Sequence, residues 1–193
     1  MGDDEGKGRR SRRPAKQSDE QLNRLAALDA GNTLAVTPDL SAMADADLIR
    51  LRAALDVEMK RRNLAVTVGQ IAEQLAIGFF NGTAGRPNLQ LAPTGTTNVD
   101  ALSRRGERYS IKGVLNAKKT GTIYPDSVDR EKQLFEFLLV VKVDREWSLE
   151  AIYEFDWKTF CECRSWDSRM NAWYLGLAAK TLARATAYRP NGA

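Results

Sequence analysis

The residues best placed to do chemistry in this chain are an acid and a lysine separated by a short hairpin. Thr97-Asn-Val-Asp100 is followed by a turn at Arg104-Arg-Gly106 and then by Glu107-Arg-Tyr-Ser-Ile-Lys-Gly113. Side chains alternate faces along a strand. Arg108, Ser110, Lys112 and Val114 therefore share one face, and Tyr109, Ile111 and Leu115 the other. Mg²⁺ takes hard oxygen ligands, commonly one or two carboxylates completed by water and phosphate oxygens. Asp100 is suited to ligate such an ion directly, the Ile111 carbonyl to add a second oxygen, and Glu73 to reach it from a preceding helix, directly or through water. Lys112 is suited to orient or deprotonate an attacking water and to offset charge on a transferring phosphate. An exposed sheet edge with ordinary charges has the same spacing, so spacing alone leaves both readings open.

Composition narrows the chemistry. The chain has no histidine, which excludes Ser-His-Asp triads, Cys-His nucleophiles and His-ligated zinc. Cys161 and Cys163 are the only cysteines; they are too close for an ordinary mutual disulfide and too few for a zinc site, and read as packing residues. A formal net charge of +4 suits a polyanionic partner without requiring one. No apolar run approaches the ~20 residues of a membrane span, and the N-terminus has no apolar signal core. A reducing, cytoplasmic setting without membrane contact is the expectation.

The elements that must position these residues follow from periodicity. Residues 1–17 are polar, with Arg9, Arg10, Arg12, Arg13 and Lys16 clustered; they predict a disordered basic tail, either solubilising or a nonspecific nucleic-acid arm. Residues 18–64 read as a helical N-terminal extension, with a short helix at 18–30 and a stronger one from Asp45 to Arg62. In the latter, Leu48, Leu51, Leu55 and Met59 predict one buried stripe. Residues 65–190 read as the main domain. A helix over Val68–Phe80 has Val68, Ile71, Ala72, Leu75, Ala76 and Phe79 as its apolar face, and Gln70, Glu73, Gln74 and Ile77 on a flank. Strands are predicted at 88–92, 97–102, 107–115, 134–143 and 147–155, and a closing helix at 169–187, with Met170, Trp173, Leu177 and Leu182 on its apolar side. Strands between helices imply an α/β or α+β domain with a mixed sheet.

Other candidates are weaker. Arg104, Arg105, Arg108, Lys112, Lys118 and Lys119 lie in one window with Glu107 its single acid, either a phosphate-neutralising patch or a solvated hairpin. Gly113, Gly121 and Lys118-Lys-Thr120 fail the P-loop spacing. Trp147, Trp157, Trp166 and Trp173 read as packing residues rather than base platforms. Asp126, Asp129 and Glu131 read as loop charges or a second metal site, and Asn171 as a cap of the closing helix.

Residues 68–115 resemble the core of the PD-(D/E)XK superfamily, the restriction-endonuclease-like fold. The pattern stands here as Val68-Gly-Gln-Ile-Ala-Glu73, Asn98-Val-Asp100 and Tyr109-Ser-Ile-Lys112-Gly. Trp166-Asp-Ser-Arg-Met-Asn-Ala-Trp173 is also similar to a little-described bacterial branch of that superfamily. The resemblance implies a mixed central sheet flanked by helices. It implies Mg²⁺ or Mn²⁺ as cofactor, Asp100 as central metal ligand, Glu73 as helical acid and Lys112 as catalytic lysine. Ser110 stands where the superfamily carries Glu, Asp or sometimes Gln. Glu107, three residues earlier, points to the opposite face of a regular strand, and Gln70 offers only weak help. The implied function is hydrolysis of a DNA phosphodiester in a bacterial or phage restriction or defence setting. Such domains often cut both strands as a homodimer or with another subunit, so a homodimer or larger defence complex joins DNA as an expected partner. Two alternatives stay open: a nucleic-acid-binding or assembly module disabled by Ser110, and an interaction protein using the 45–62 helix and the tryptophan-rich C-terminus.

Overall fold

The computed structural model describes residues 39–62, 64 and 67–190. The basic tail at 1–17 and the short helix at 18–30 lie outside the described residues.

Helix α1 spans Asp45–Arg61, with Asp45 and Asp47 in its first turn and Lys60 and Arg61 in its last, the arrangement the helix dipole favours. No residue of α1 is buried. The predicted buried stripe is therefore corrected: Leu51 and Leu55 are exposed, and α1 belongs to neither apolar core. The helix nearest the sheet is instead α2, Val68–Gly82, opened by Thr67, whose hydroxyl accepts the Gln70 N–H at 3.2 Å. It buries Ala72, Ala76, Ile77 and Phe80. Its inward face is thus turned from the predicted one: Ile77, assigned to the Glu73 flank, is only 1% exposed. Glu73 consequently borders the core, one helical turn from Ile77.

Strands β1 (Leu89–Leu91), β2 (Ala101–Ser103), β3 (Arg108–Val114), β4 (Phe137–Val143) and β5 (Leu149–Asp156) follow. Helix α3 (Trp157–Cys163), a β6–β7 hairpin (Arg164–Asp167 and Ala172–Leu175), the single turn α4 (Ala179–Leu182) and β8 (Thr186–Tyr188) complete the chain. The main sheet has six strands in the order β1-β2-β3-β4-β5-β8. Only β3 and β4 pair in parallel; the other neighbours are antiparallel. The protein is a mixed α+β fold. The β3–β4 crossover, residues 115–136, carries no helix and runs along the hairpin instead, pairing Lys119 with Gly176 and Ile123 with Trp173.

The sheet separates two apolar cores. Tyr109, Ile111, Leu139, Val141 and Ile152 pack under α2. Val114, Leu138, Val140, Phe155 and Phe160 pack under α3 and the hairpin, where Trp173 and both cysteines join them. The alternation predicted for β3 holds at these positions.

The helix predicted at 169–187 is overturned. Asn171 adopts φ +49° in the β6–β7 turn rather than capping a helix. Trp173 sits on β7 opposite Trp166 with ring centroids 4.5 Å apart, and Leu175 is buried on the same strand. A cross-strand aromatic pair and a buried neighbour outweigh a weak helical periodicity. Trp147 also departs from its packing assignment: it is exposed, at φ +65°, in the β4–β5 turn.

Candidate active site

Asp100 is fixed by backbone conformation before it and by β3 beside it. Asn98 takes φ +59°, a left-handed conformation that Asn tolerates better than most residues. Its side-chain amide donates to the Tyr124 carbonyl at 2.9 Å, tying the turn to the crossover. The strand predicted from residue 97 therefore starts later, at Ala101, and Asp100 lies just outside it. The Asp100 N–H donates to the Tyr109 carbonyl at 2.8 Å. Its Oδ2 accepts the Ile111 N–H at 2.6 Å and the Ser110 hydroxyl at 3.3 Å. The carboxylate thus takes over where β2 no longer offers a ladder partner. The N–H and C=O of one strand residue point the same way. The Ile111 carbonyl is therefore directed to the side of β3 on which Asp100 sits.

Glu73 reaches this point because α2 lies unusually close to β3. A Cβ on Gly113 would stand 2.5 Å from the Val68 carbonyl oxygen and 2.8 Å from the Ala72 Cβ, so the approach requires glycine. Burial raises the Glu73 pKa above its ordinary value, the Asp100 charge raises it further, and the Lys112 charge opposes both. Glu73 therefore lies within electrostatic reach of both Asp100 and Lys112. Neither the Glu73 nor the Lys112 side chain makes a hydrogen bond or ion pair among the described residues.

Ser110 is fully buried and contributes a hydroxyl, not a charge. Glu107 does not replace the missing acid: its carboxylate accepts the Ser103 hydroxyl at 2.8 Å inside the hairpin turn. Gln70 folds back on its own helix start, with its Oε1 accepting from the Thr67 hydroxyl at 3.0 Å. Among the described residues no group of three or more Asp, Glu or Cys side chains is placed to hold a metal ion. The oxygen set here is two carboxylates with a backbone carbonyl, all hard donors, which suits a cation that keeps several waters.

The basic window does not form one patch. Arg104 and Arg105 are exposed at the hairpin tip, away from Asp100. Arg108 forms a two-point pair with Glu136, at 2.7 and 3.1 Å, and Glu136 also accepts the Arg108 N–H at 2.6 Å. Lys119 pairs with Asp167 at 3.2 Å and lies over the Tyr174 ring. Lys118 is exposed. The acids that neutralise Arg108 and Lys119 lie 28 and 48 residues along the chain, so no local window contains them.

The Asp126–Glu131 acids are held apart by structural roles. Asp126 caps Val128 and Asp129 and pairs with Lys132 at 2.9 Å, which brings its pKa down to about 2. Glu131 pairs with Arg164. Sequence reasoning missed Asn98, whose only signal is an Asn two residues before the acid. No family model matches this chain, and no curated protein matches it significantly.

Proposed function

We propose that the protein is a metal-dependent nuclease hydrolysing DNA phosphodiester bonds, built on a restriction-endonuclease-like core of α2, the β2–β3 hairpin and the parallel strand β4. One observation carries the reading: Glu73 lies within electrostatic reach of both Lys112 and Asp100, whose carboxylate accepts the Ile111 N–H. Asp100, Glu73 and the Ile111 carbonyl would hold Mg²⁺ or Mn²⁺, which when bound supplies Lewis-acid stabilisation of charge on the phosphate. Lys112 orients the attacking water in line with the scissile bond or, as the neutral amine, takes its proton, and as the ammonium offsets charge developing on the phosphate oxygens. The partial burial of Glu73 strengthens its interactions with these charges. Ser110 keeps the charge of the site at two carboxylates, which favours weak metal binding over a tight resident ion.

A second reading follows from the same serine. Its hydroxyl shares Asp100 Oδ2 with the Ile111 N–H, and a site so engaged can bind nucleic acid without cutting it.

Cleavage of supercoiled plasmid, with Mg²⁺ and separately with Mn²⁺, tests the proposal on wild type, Asp100→Asn and Lys112→Ala. Asn retains an acceptor for the Ile111 N–H, so this variant separates chemistry from folding. Metal-dependent nicking by wild type that both variants lack supports the nuclease. A folded wild type that retards DNA but cuts with neither metal overturns it in favour of the binding module.

A further inference from the structure

A cleft of about 530 Å³ opens at the other end of β3, where the hairpin turn faces the loop after α2. Its floor is aromatic. Tyr109 and Phe137 are register partners on β3 and β4, stacked with centroids 5.0 Å apart and planes 24° from parallel. Phe137 is only half-buried, and the Tyr109 hydroxyl has no hydrogen bond among the described residues.

Two carboxylates line the cleft: Glu107, which accepts the Ser103 hydroxyl, and Glu154 beside the floor. Glu154 on β5 accepts the Tyr188 hydroxyl on Oε1 at 3.2 Å, and that hydroxyl accepts from Arg86 at 3.1 Å. Arg86 also stacks 4.2 Å over the Tyr188 ring. The chain of contacts fixes Glu154 in place yet leaves its Oε2 without a partner among the described residues. Burial raises the pKa of this carboxyl, which fits a group with its charge only partly compensated. Arg104 and Arg105 form the rim, both exposed and without ion pairs among the described residues.

This combination selects a ligand class. Guanidinium groups match phosphate oxygens in a planar fork. Aromatic side chains carry flat heteroaromatic rings. A carboxylate oxygen takes an amino or imino N–H from a base edge. A simple anion would leave the floor unused and meet Glu154 and Glu107 as like charges. We propose that the cleft binds a nucleotide, with its base on the half-buried Phe137 ring that Tyr109 backs from within the core, a base N–H on Glu154 Oε2 and its phosphate between Arg104 and Arg105. The site is separate from Asp100 and does not depend on whether Asp100 supports cleavage.

The test is an amide NMR titration of the full chain in EDTA with dGMP, with inorganic phosphate, and with a 5′-phosphorylated dG tetranucleotide. Expected are saturable shifts at Gly85–Asn88, Ser103–Tyr109 and around Phe137 and Glu154. They persist in Asp100→Asn and weaken by at least about tenfold in the double variant Arg104→Ala/Arg105→Ala and in Glu154→Gln. Tighter binding of the tetranucleotide assigns the cleft to an unpaired nucleotide of a strand; equal binding assigns it to a free nucleotide. The proposal is overturned by an absence of saturation up to roughly 10 mM dGMP, by phosphate binding as well as dGMP, or by affinities unchanged in the variants.

Discussion

Arg108 and Lys112 lie on one face of the same strand, yet the protein treats the two cations in opposite ways. Arg108 is met by Glu136 through two guanidinium contacts and a backbone N–H, and its charge is consumed in holding β3 to the start of β4. Lys112 has the Glu73 carboxylate in electrostatic reach and pairs directly with no acid among the described residues. A paired cation is explained by the fold. One kept near an acid without pairing is poised to act on something else.

The sharpest way to break this comparison is to remove each cation in turn. Lys112→Ala is expected to cost at least about 100-fold in metal-dependent cleavage, the range for losing a positioned base or charge stabiliser. Arg108→Ala should leave the rate within about threefold and act on stability instead, as surface-accessible pairs do. Matched plasmid-nicking rates decide it; equal losses would mean that both cations only support the sheet.

Next in size is the close approach of α2 to β3. Gly113→Ala places a methyl group against the Val68 carbonyl, a backbone atom that cannot swing aside. A loss of about 2–3 kcal/mol in urea unfolding is expected, at the upper end of overpacking costs. A neutral result would mean that α2 rides higher on the sheet than the structure shows. Ser110→Asp probes the same place chemically. Beside Asp100 it adds a like charge to a buried position, so Tm without metal should fall. With Mn²⁺ the gain in Tm should exceed that of wild type, equivalent to about tenfold tighter binding, or ~1.4 kcal/mol. A variant whose Tm ignores Mn²⁺ would count against a metal at Asp100.

The two ends of β3 were not equally legible. Glu73 and Lys112 lie on elements set by local patterns, an amphipathic helix and an alternating strand, while the Asn98 turn before Asp100 falls where a strand is predicted. The helix and the alternating strand were therefore legible, whereas the late start of β2 at Ala101, which leaves Asp100 outside the strand, was not. Arg108 looked like a phosphate contact because Glu136 is distant in the chain and adjacent only after β3 and β4 pair in parallel. The cleft was invisible for the same reason: Arg86, Tyr109, Phe137 and Glu154 converge only across four separate segments. The C-terminal region misled differently. Met170, Trp173 and Leu177 are spaced as on a helix, but cross-strand pairing of Trp166 with Trp173 decided the conformation. The inward turn of Ile77 escaped because a helix with apolar residues on several sides does not say which of them the sheet will cover.

The smallest effect separates the two ends by their acids. The Arg108 guanidinium holds the Glu136 carboxyl below its ordinary value of 4.5, while burial holds Glu73 above that value. For Glu136, the folded state favours the ionised form. Its contribution is present above the unfolded pKa and is lost as pH falls through the lower folded pKa. Because the pair is partly solvent-exposed, about 0.5–1 kcal/mol is the scale. For Glu73 the sign reverses: ionisation opposes folding at neutral pH, and the opposition is relieved as pH falls through the raised folded pKa toward 4.5. Glu136→Gln should therefore melt below wild type at pH 7, with the gap closing only in acid below 4.5. Glu73→Gln should melt above wild type at pH 7, with the gap closing at higher pH than for Glu136→Gln. Tm measured against pH for the three proteins checks both signs. A Glu73→Gln variant less stable than wild type at pH 7 would show that Glu73 is held by structure rather than kept available for a ligand.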